Sequence, residues 1–289
     1  MIDNIPAPEI CVKHPLAHAG VAFVVCMAVY EGAASLVPGE SLVPEAVAAL
    51  AALGFYLIGR PAWGGRRVRV MLNRAIALGV VVLVAAVAAS CLFVALGGPA
   101  TAGHCEGDML LAPGIDGVAL DGAGGVVVFI AYCLLTGVFE ETLFRGVLYR
   151  DFRLAENRPA FGMKRRAIVA QAAIFALLHL TGFPETSALG FAGQIALLVL
   201  RVVAAFFFGL LMARLVDETG GIVVPTAVHA LYDLVLFTPL FANGGFVRAN
   251  PLAGGAPDLV SAIVQVAVLA VVVVACMHRD SCYHTPSVS

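Results

Sequence analysis

Charge is scarce in this sequence: Asp, Glu, Lys and Arg make up 12% of its 289 residues, against 61% hydrophobic ones. A soluble fold of this length needs a polar surface, and 36 such side chains bunched between long apolar runs do not supply one. Mean hydropathy is +0.97, which with these fractions lies far outside soluble globular domains and places the chain in lipid. The seven cysteines (Cys11, Cys26, Cys91, Cys105, Cys133, Cys276 and Cys282) have no CxxC spacing. At least four fall inside apolar runs, so they read as small buried hydrophobes rather than a disulfide framework or a thiolate zinc site. The N-terminus, with Asp3, Glu9, Lys13 and His14, lacks the basic start and small-residue cleavage site of a secretory signal, and the first apolar run is expected to stay attached. No internal repeat stands out, and a net charge of -2 gives no grounds for a nucleic-acid partner.

Long apolar runs are what the chain does have. Segments able to cross a hydrocarbon core of about 30 Å lie near 16–37, 42–59, 75–97, 125–148, 167–183, 188–213, 221–240 and 258–277. The fifth is the shortest. The expected fold is all-α and polytopic, with about eight transmembrane helices in one integrated membrane domain. Within it, 1–110 holds the N-terminal helices, 125–237 the core and 258–289 the last helix and tail. Breakers separate the runs, among them Pro38-Gly39, Gly97-Gly98-Pro99, Pro184 and Gly220-Gly221.

Basic residues fix the expected orientation, because Lys and Arg are retained on the cytoplasmic side. Arg60, Arg66, Arg67, Arg69 and Arg74 follow the second run, and Arg150, Arg153, Arg158, Lys164, Arg165 and Arg166 follow the fourth. The connection from 98 to 124 has Glu106, Asp108, Asp116 and Asp121 but no Lys or Arg, and is expected outside. Of the 17 basic residues, only Arg145, Arg201 and Arg248 fall elsewhere than the cytoplasmic side if both termini are inside, as in a cell inner membrane.

An ionisable side chain at the centre of a membrane helix costs roughly 2.5 to 3.5 kcal/mol on insertion scales, so each one present needs a reason. Three motifs stand out: Glu140-Glu141 with Arg145 in the fourth run, Phe175 with His179 in the fifth, and His229 with Asp233 in the seventh. Counted from the cytoplasmic boundaries, Glu140 lies about 15 Å deep, His179 about 20 Å, His229 about 14 Å and Asp233 about 20 Å. Polar groups from three separate helices thus reach one layer, as a shared buried site requires.

Spacing then divides the roles. Glu141 and Arg145 are four apart with the acid first, the favourable helical ion-pair order, and read chiefly as structural support. Glu140 points about 100° away and has no basic residue four positions to either side, which makes it the catalytic carboxylate of choice. Asp233, four residues after His229, can accept from a ring N–H and fix its tautomer, or point beside it into the site. Arg201 is either a helix–helix donor or part of the same polar cavity, and Tyr232 is as readily packing as site.

At these residues the sequence resembles the CAAX protease and bacteriocin-processing (Abi) family, the type II CAAX prenyl endopeptidase-like intramembrane proteases. The marks are Glu140-Glu141 with Arg145, Phe175 with His179, and His229 with Asp233, in that order over roughly 125–237. Each motif alone is weak; the ordered set on separate membrane helices is specific. The resemblance implies an eight-helix fold whose polar cavity opens towards the cytosol and the membrane. Glu140 with His179 would activate a water for attack on a peptide carbonyl, and His229 with Asp233 would stabilise the oxyanion. Where the family has Asn, this chain has Asp233, which cannot donate a hydrogen bond when ionised and would have to be protonated or act by orienting His229.

No cofactor is favoured. Zinc or another divalent metal on Glu140, His179 and His229 is the rival arrangement, but no HExxH helix is present. The expected partners are membrane lipid and a protein or peptide substrate at the membrane, a C-terminal segment being one form it can take. The alternatives are a non-catalytic scaffold or bacteriocin-immunity protein of the same family and, ranked below it, a transporter, for which no inverted repeat is visible.

Overall fold

The computed structural model describes residues 8–37, 42–63, 72–97, 123–156, 166–180, 189–242 and 255–282. Every one of the eight apolar runs forms a helix, and the described residues contain no strand. A short α1 (Glu9–Lys13) leads into α2 (Pro15–Leu36), α3 (Val43–Trp63) and α4 (Leu72–Ala95). The fourth run is one continuous rod: α5 (Ala123–Glu140), a π-helical stretch (Glu141–Leu148) and α6 (Tyr149–Glu156). Then follow α7 (Arg166–Leu178), α8 (Gly190–Thr219), α9 (Val223–Ala242) and α10 (Ala256–Cys282).

Six of these rods are long and apolar enough to cross a membrane, whereas α7 and α9 carry shorter apolar stretches, Arg166–Leu178 and Val223–Pro239. The 13 residues of α7 span about 20 Å, well short of a hydrocarbon core of about 30 Å. The fifth run therefore reaches only partway, and the chain leaves the helix at His179 and Leu180. Several rods outrun their apolar segments at the basic end. α8 continues through Arg214, Asp217 and Glu218 because Arg214 and Glu218 form an i, i+4 pair at 3.0 Å. It stops at Gly220, whose φ of 73° supplies the left-handed cap and whose N–H reaches the Val216 carbonyl at 2.7 Å.

Antiparallel packing gathers the ends into two layers. In the basic layer, His18 Nδ1 stands 2.6 Å from Asp151 Oδ2, both buried, and ties α2 to α6. Tyr149 donates to Asp217 at 2.8 Å, and Arg150 to the Gly220 carbonyl at 3.2 Å. In the opposite layer Ser90 donates to the Val235 carbonyl at 3.0 Å and Ser261 to the Ala89 carbonyl at 2.9 Å. Between them the core is apolar and closely packed, and Val24, Leu50, Val127 and Val271 turn outward, as lipid-facing side chains do.

Close approach depends on small residues. A Cβ on Gly209 of α8 would come within 3.0 Å of Ala172 Cα and Cβ on α7, and one on Gly137 of α5 within 3.2 Å of the backbone of α9. Gly209→Ala is expected to destabilise the protein by about 1–3 kcal/mol, because α7 must shift to admit the methyl. Thermal aggregation of the detergent-solubilised variant checks this. Cys11, Cys26 and Cys133 are buried thiols, and Cys91 is exposed among lipid-facing side chains. Cys105 lies outside the described residues.

Candidate active site

The site begins where the fourth rod changes pitch. From Glu141 to Leu148 the backbone winds as a π-helix, and all eight side chains are buried. A π-helix carries i→i+5 hydrogen bonds and costs more than α-helix, so it survives where packing demands it and recurs at functional sites. Nothing in the residue types of this stretch announces it; a regular α-helix is the natural expectation.

At this junction two adjacent carboxylates stand in different environments. Glu141 is sealed: its side chain and that of Arg145 have no exposure, and Glu141 Oε1 lies 2.9 Å from Arg145 Nη1. The Arg145 guanidinium rests over the Phe175 ring at 4.3 Å, with Phe144 and Phe208 close by, an arrangement that offsets part of the cost of burying a cation. Glu140, one residue earlier, retains 23% side-chain exposure and lines a cavity of about 210 Å³.

That cavity collects the other polar residues read from the sequence. His179, His229 and Asp233 line it with Glu140, together with Arg201, Tyr232, Thr136 and Gln265. His179 stands in the turn after α7, and its Nδ1 donates to the Phe175 carbonyl at 2.9 Å. This bond assigns the proton to Nδ1 and leaves Nε2 as the ring's acceptor. Phe175 packs against the His179 ring at 4.7 Å, so the phenylalanine of that motif serves as a platform between Arg145 and His179.

His229 has a partner that the spacing argument does not foresee. Its Nδ1 donates to Glu141 Oε1 across helices at 2.7 Å, while Nε2 faces Glu140 Oε2 at 3.6 Å and Asp233 Oδ2 at 3.5 Å. The residue that fixes the ring is thus Glu141 rather than Asp233 of the same helix. Glu141 keeps its ion pair with Arg145 and gains a second task. Asp233 instead shares with Glu140 the nitrogen that faces the cavity, at distances longer than a direct hydrogen bond. Phe208 flanks the His229 ring at 4.8 Å and Tyr232 at 4.7 Å, and Tyr232 is hydrogen-bonded by Gln265.

Arg201 resolves in favour of the cavity: it lines the wall, and its Nη1 is buried without a hydrogen-bond partner among the described residues. As for metal, no group of three His, Cys, Asp or Glu among the described residues is arranged to hold an ion. Glu140, His179 and His229 share the cavity wall without forming such a cage.

The direction of the cavity is set by its lining. On α5 its lining runs from Glu140 back to Thr136 and Tyr132, and on α9 from His229 forward to Leu236 and Phe237. On α8 it includes Leu197 and Arg201, and on α10 Ala262 and Gln265, all towards the layer that holds Ser90 and Ser261. The cavity extends away from the basic ends, not towards them.

Fold and site together define a polytopic helical membrane protein with two carboxylates and two histidines gathered in an intramembrane cavity. Residues 122–235 match the family model for type II CAAX prenyl endopeptidase Rce1-like proteins, the family that the three motifs resemble. No curated protein and no solved structure matches the chain.

Proposed function

We propose that this chain is an intramembrane endopeptidase that hydrolyses a peptide bond with water activated by Glu140 and His179. The observation that carries the proposal is the contrast between neighbours: Glu141 is sealed and ion-paired, whereas Glu140 meets the cavity beside two histidines from other helices. A carboxylate placed at such cost in a membrane interior, and left open to a cavity, is placed to exchange protons.

In this reading Glu140 takes a proton from water, His179 Nε2 accepts from the same water and orients it, and the water oxygen attacks the carbonyl carbon. The oxyanion is met by His229 Nε2 in its doubly protonated form and by Arg201 Nη1, both preset by the fold and shielded from bulk water. As the C–N bond breaks, Glu140 returns its proton to the leaving amine. Asp233, 3.5 Å from His229 Nε2, faces the same ring nitrogen as Glu140 and does not itself contact the oxyanion. The substrate is a protein or peptide segment reaching the cavity through the membrane.

The test is hydrolysis of a quenched-fluorescent peptide library by purified protein in liposomes. Cleavage is expected for the wild type, to be lost in His179→Ala, and to persist undiminished after exhaustive chelation. Stoichiometric zinc in the purified protein, with activity lost on its removal and regained on its return, would overturn the metal-free mechanism.

A further inference from the structure

The two faces of the site differ in a way that bears on where substrate comes from. Towards the basic ends, the site is closed by the buried π-helical stretch, with Leu143 and Phe144 on one side and Leu211, Met212 and Leu215 of α8 on the other. Arg145 and Glu141, both without exposure, lie within this plug. Towards the opposite ends, the lining is partly exposed: Tyr132 and Thr136 on α5, Leu236 and Phe237 on α9, Ala262 and Gln265 on α10.

The short α7 contributes to the same asymmetry. It packs on α6 and α8 at the basic end and stops at Leu178, with His179 at the cavity, so that it walls only the plugged half of the site. The ends of the rods can be oriented by charge. Arg60, Arg74, Arg150, Arg153 and Arg166 sit at one set of ends, whereas the connections 38–41, 98–122, 181–188 and 243–254 at the other hold a single basic residue, Arg248. Retention of basic residues in the cytoplasm puts the open half of the cavity in the outer half of the membrane.

We propose that substrate reaches Glu140 from the extracytoplasmic side, so that the protein acts on a peptide segment that has been exported or inserted in the membrane and not on a cytosolic lipid-modified C-terminus. This rests on the protease reading for the word substrate, while the side of access rests on the fold and the charges alone. The class of reaction that supplies such a substrate is membrane insertion or translocation of a polypeptide.

Access can be read without catalysis. Ala262→Cys and Thr136→Cys are introduced separately into the full-length chain carrying Cys105→Ser, and labelled with a membrane-impermeant maleimide on intact cells and on inside-out vesicles. Native Cys105 in the otherwise unaltered chain marks the connection 98–122, and Arg158→Cys marks the basic end. The expected result is that both cavity cysteines label from the same side as Cys105, on intact cells only, and that Arg158→Cys labels in inside-out vesicles only. Cavity cysteines that label with Arg158→Cys, or that react from neither side while reacting after denaturation, overturn the proposal, as does an exchange of the two markers. Loss of peptide cleavage with the labelling pattern intact would sink the protease reading and leave the access side standing.

Discussion

Glu140→Gln is expected to abolish peptide cleavage, with a loss of about 10²–10⁴-fold, while the protein still inserts and accumulates at wild-type level. Glutamine keeps the size and one acceptor of glutamate but cannot take a proton from water. Glu140 is the partly exposed member of the adjacent pair and stands 3.6 Å from His229 Nε2 without being part of the sealed ion pair. Its neutralisation therefore removes reactivity while leaving the sealed pair of Glu141 and Arg145 intact. Cleavage measured alongside the amount of folded protein by size-exclusion chromatography separates the two effects. Substantial activity in this variant would exclude Glu140 as the base.

The opposite pattern is expected one turn on. Arg145→Ala leaves Glu141 buried beside a cavity where the guanidinium was, and the expected cost is about 3–5 kcal/mol, enough to deplete the protein from the membrane. The loss reports an uncompensated charge and not the worth of the pair, so the apolar double variant Glu141→Leu with Arg145→Met is expected to recover much of the folded protein. It should nonetheless be inactive, because His229 Nδ1 then has no acceptor to fix its ring. Recovery of both stability and cleavage in the double variant would show that Glu141 has no part in orienting His229.

These two variants also mark what the sequence could and could not disclose. Depth along each helix is a count of residues, so the common layer of Glu140, His179, His229 and Asp233 was legible before any contact was known. So was the i, i+4 pairing of Glu141 with Arg145, which holds even though the stretch winds as a π-helix. The bond from His229 to Glu141 was not, because the two residues are 88 positions apart and no periodicity relates them. Local spacing offered Asp233 either as the acceptor for His229 or as a neighbour pointing into the site; tertiary packing gives the ring Nδ1 to Glu141 and leaves Asp233 lining the cavity.

Helix ends show a similar division. Hydropathy placed the ends of α2 and α4 within about three residues, since their apolar segments and their helices nearly coincide. It ended the rod of α8 near 213, six residues short of Thr219, because charged residues paired on the helix surface lie outside the apolar window but not outside the helix. The expectation of a span over 167–183 gave way to a helix of 13 residues, and with that the wall of the cavity became asymmetric. The direction of the cavity depends on which helix is short, and for that reason no single motif carries it.

The most direct test of the central claim compares peptides released from membranes of cells carrying the wild-type chain with those from cells carrying Glu140→Gln at matched abundance. The expected result is a defined set of cleavage products present with the wild type and missing with the variant, with the uncut precursors retained in the membrane. Identical product sets from the two, with any biological effect of the protein preserved in Glu140→Gln, would contradict it and leave a membrane scaffold in place of a protease.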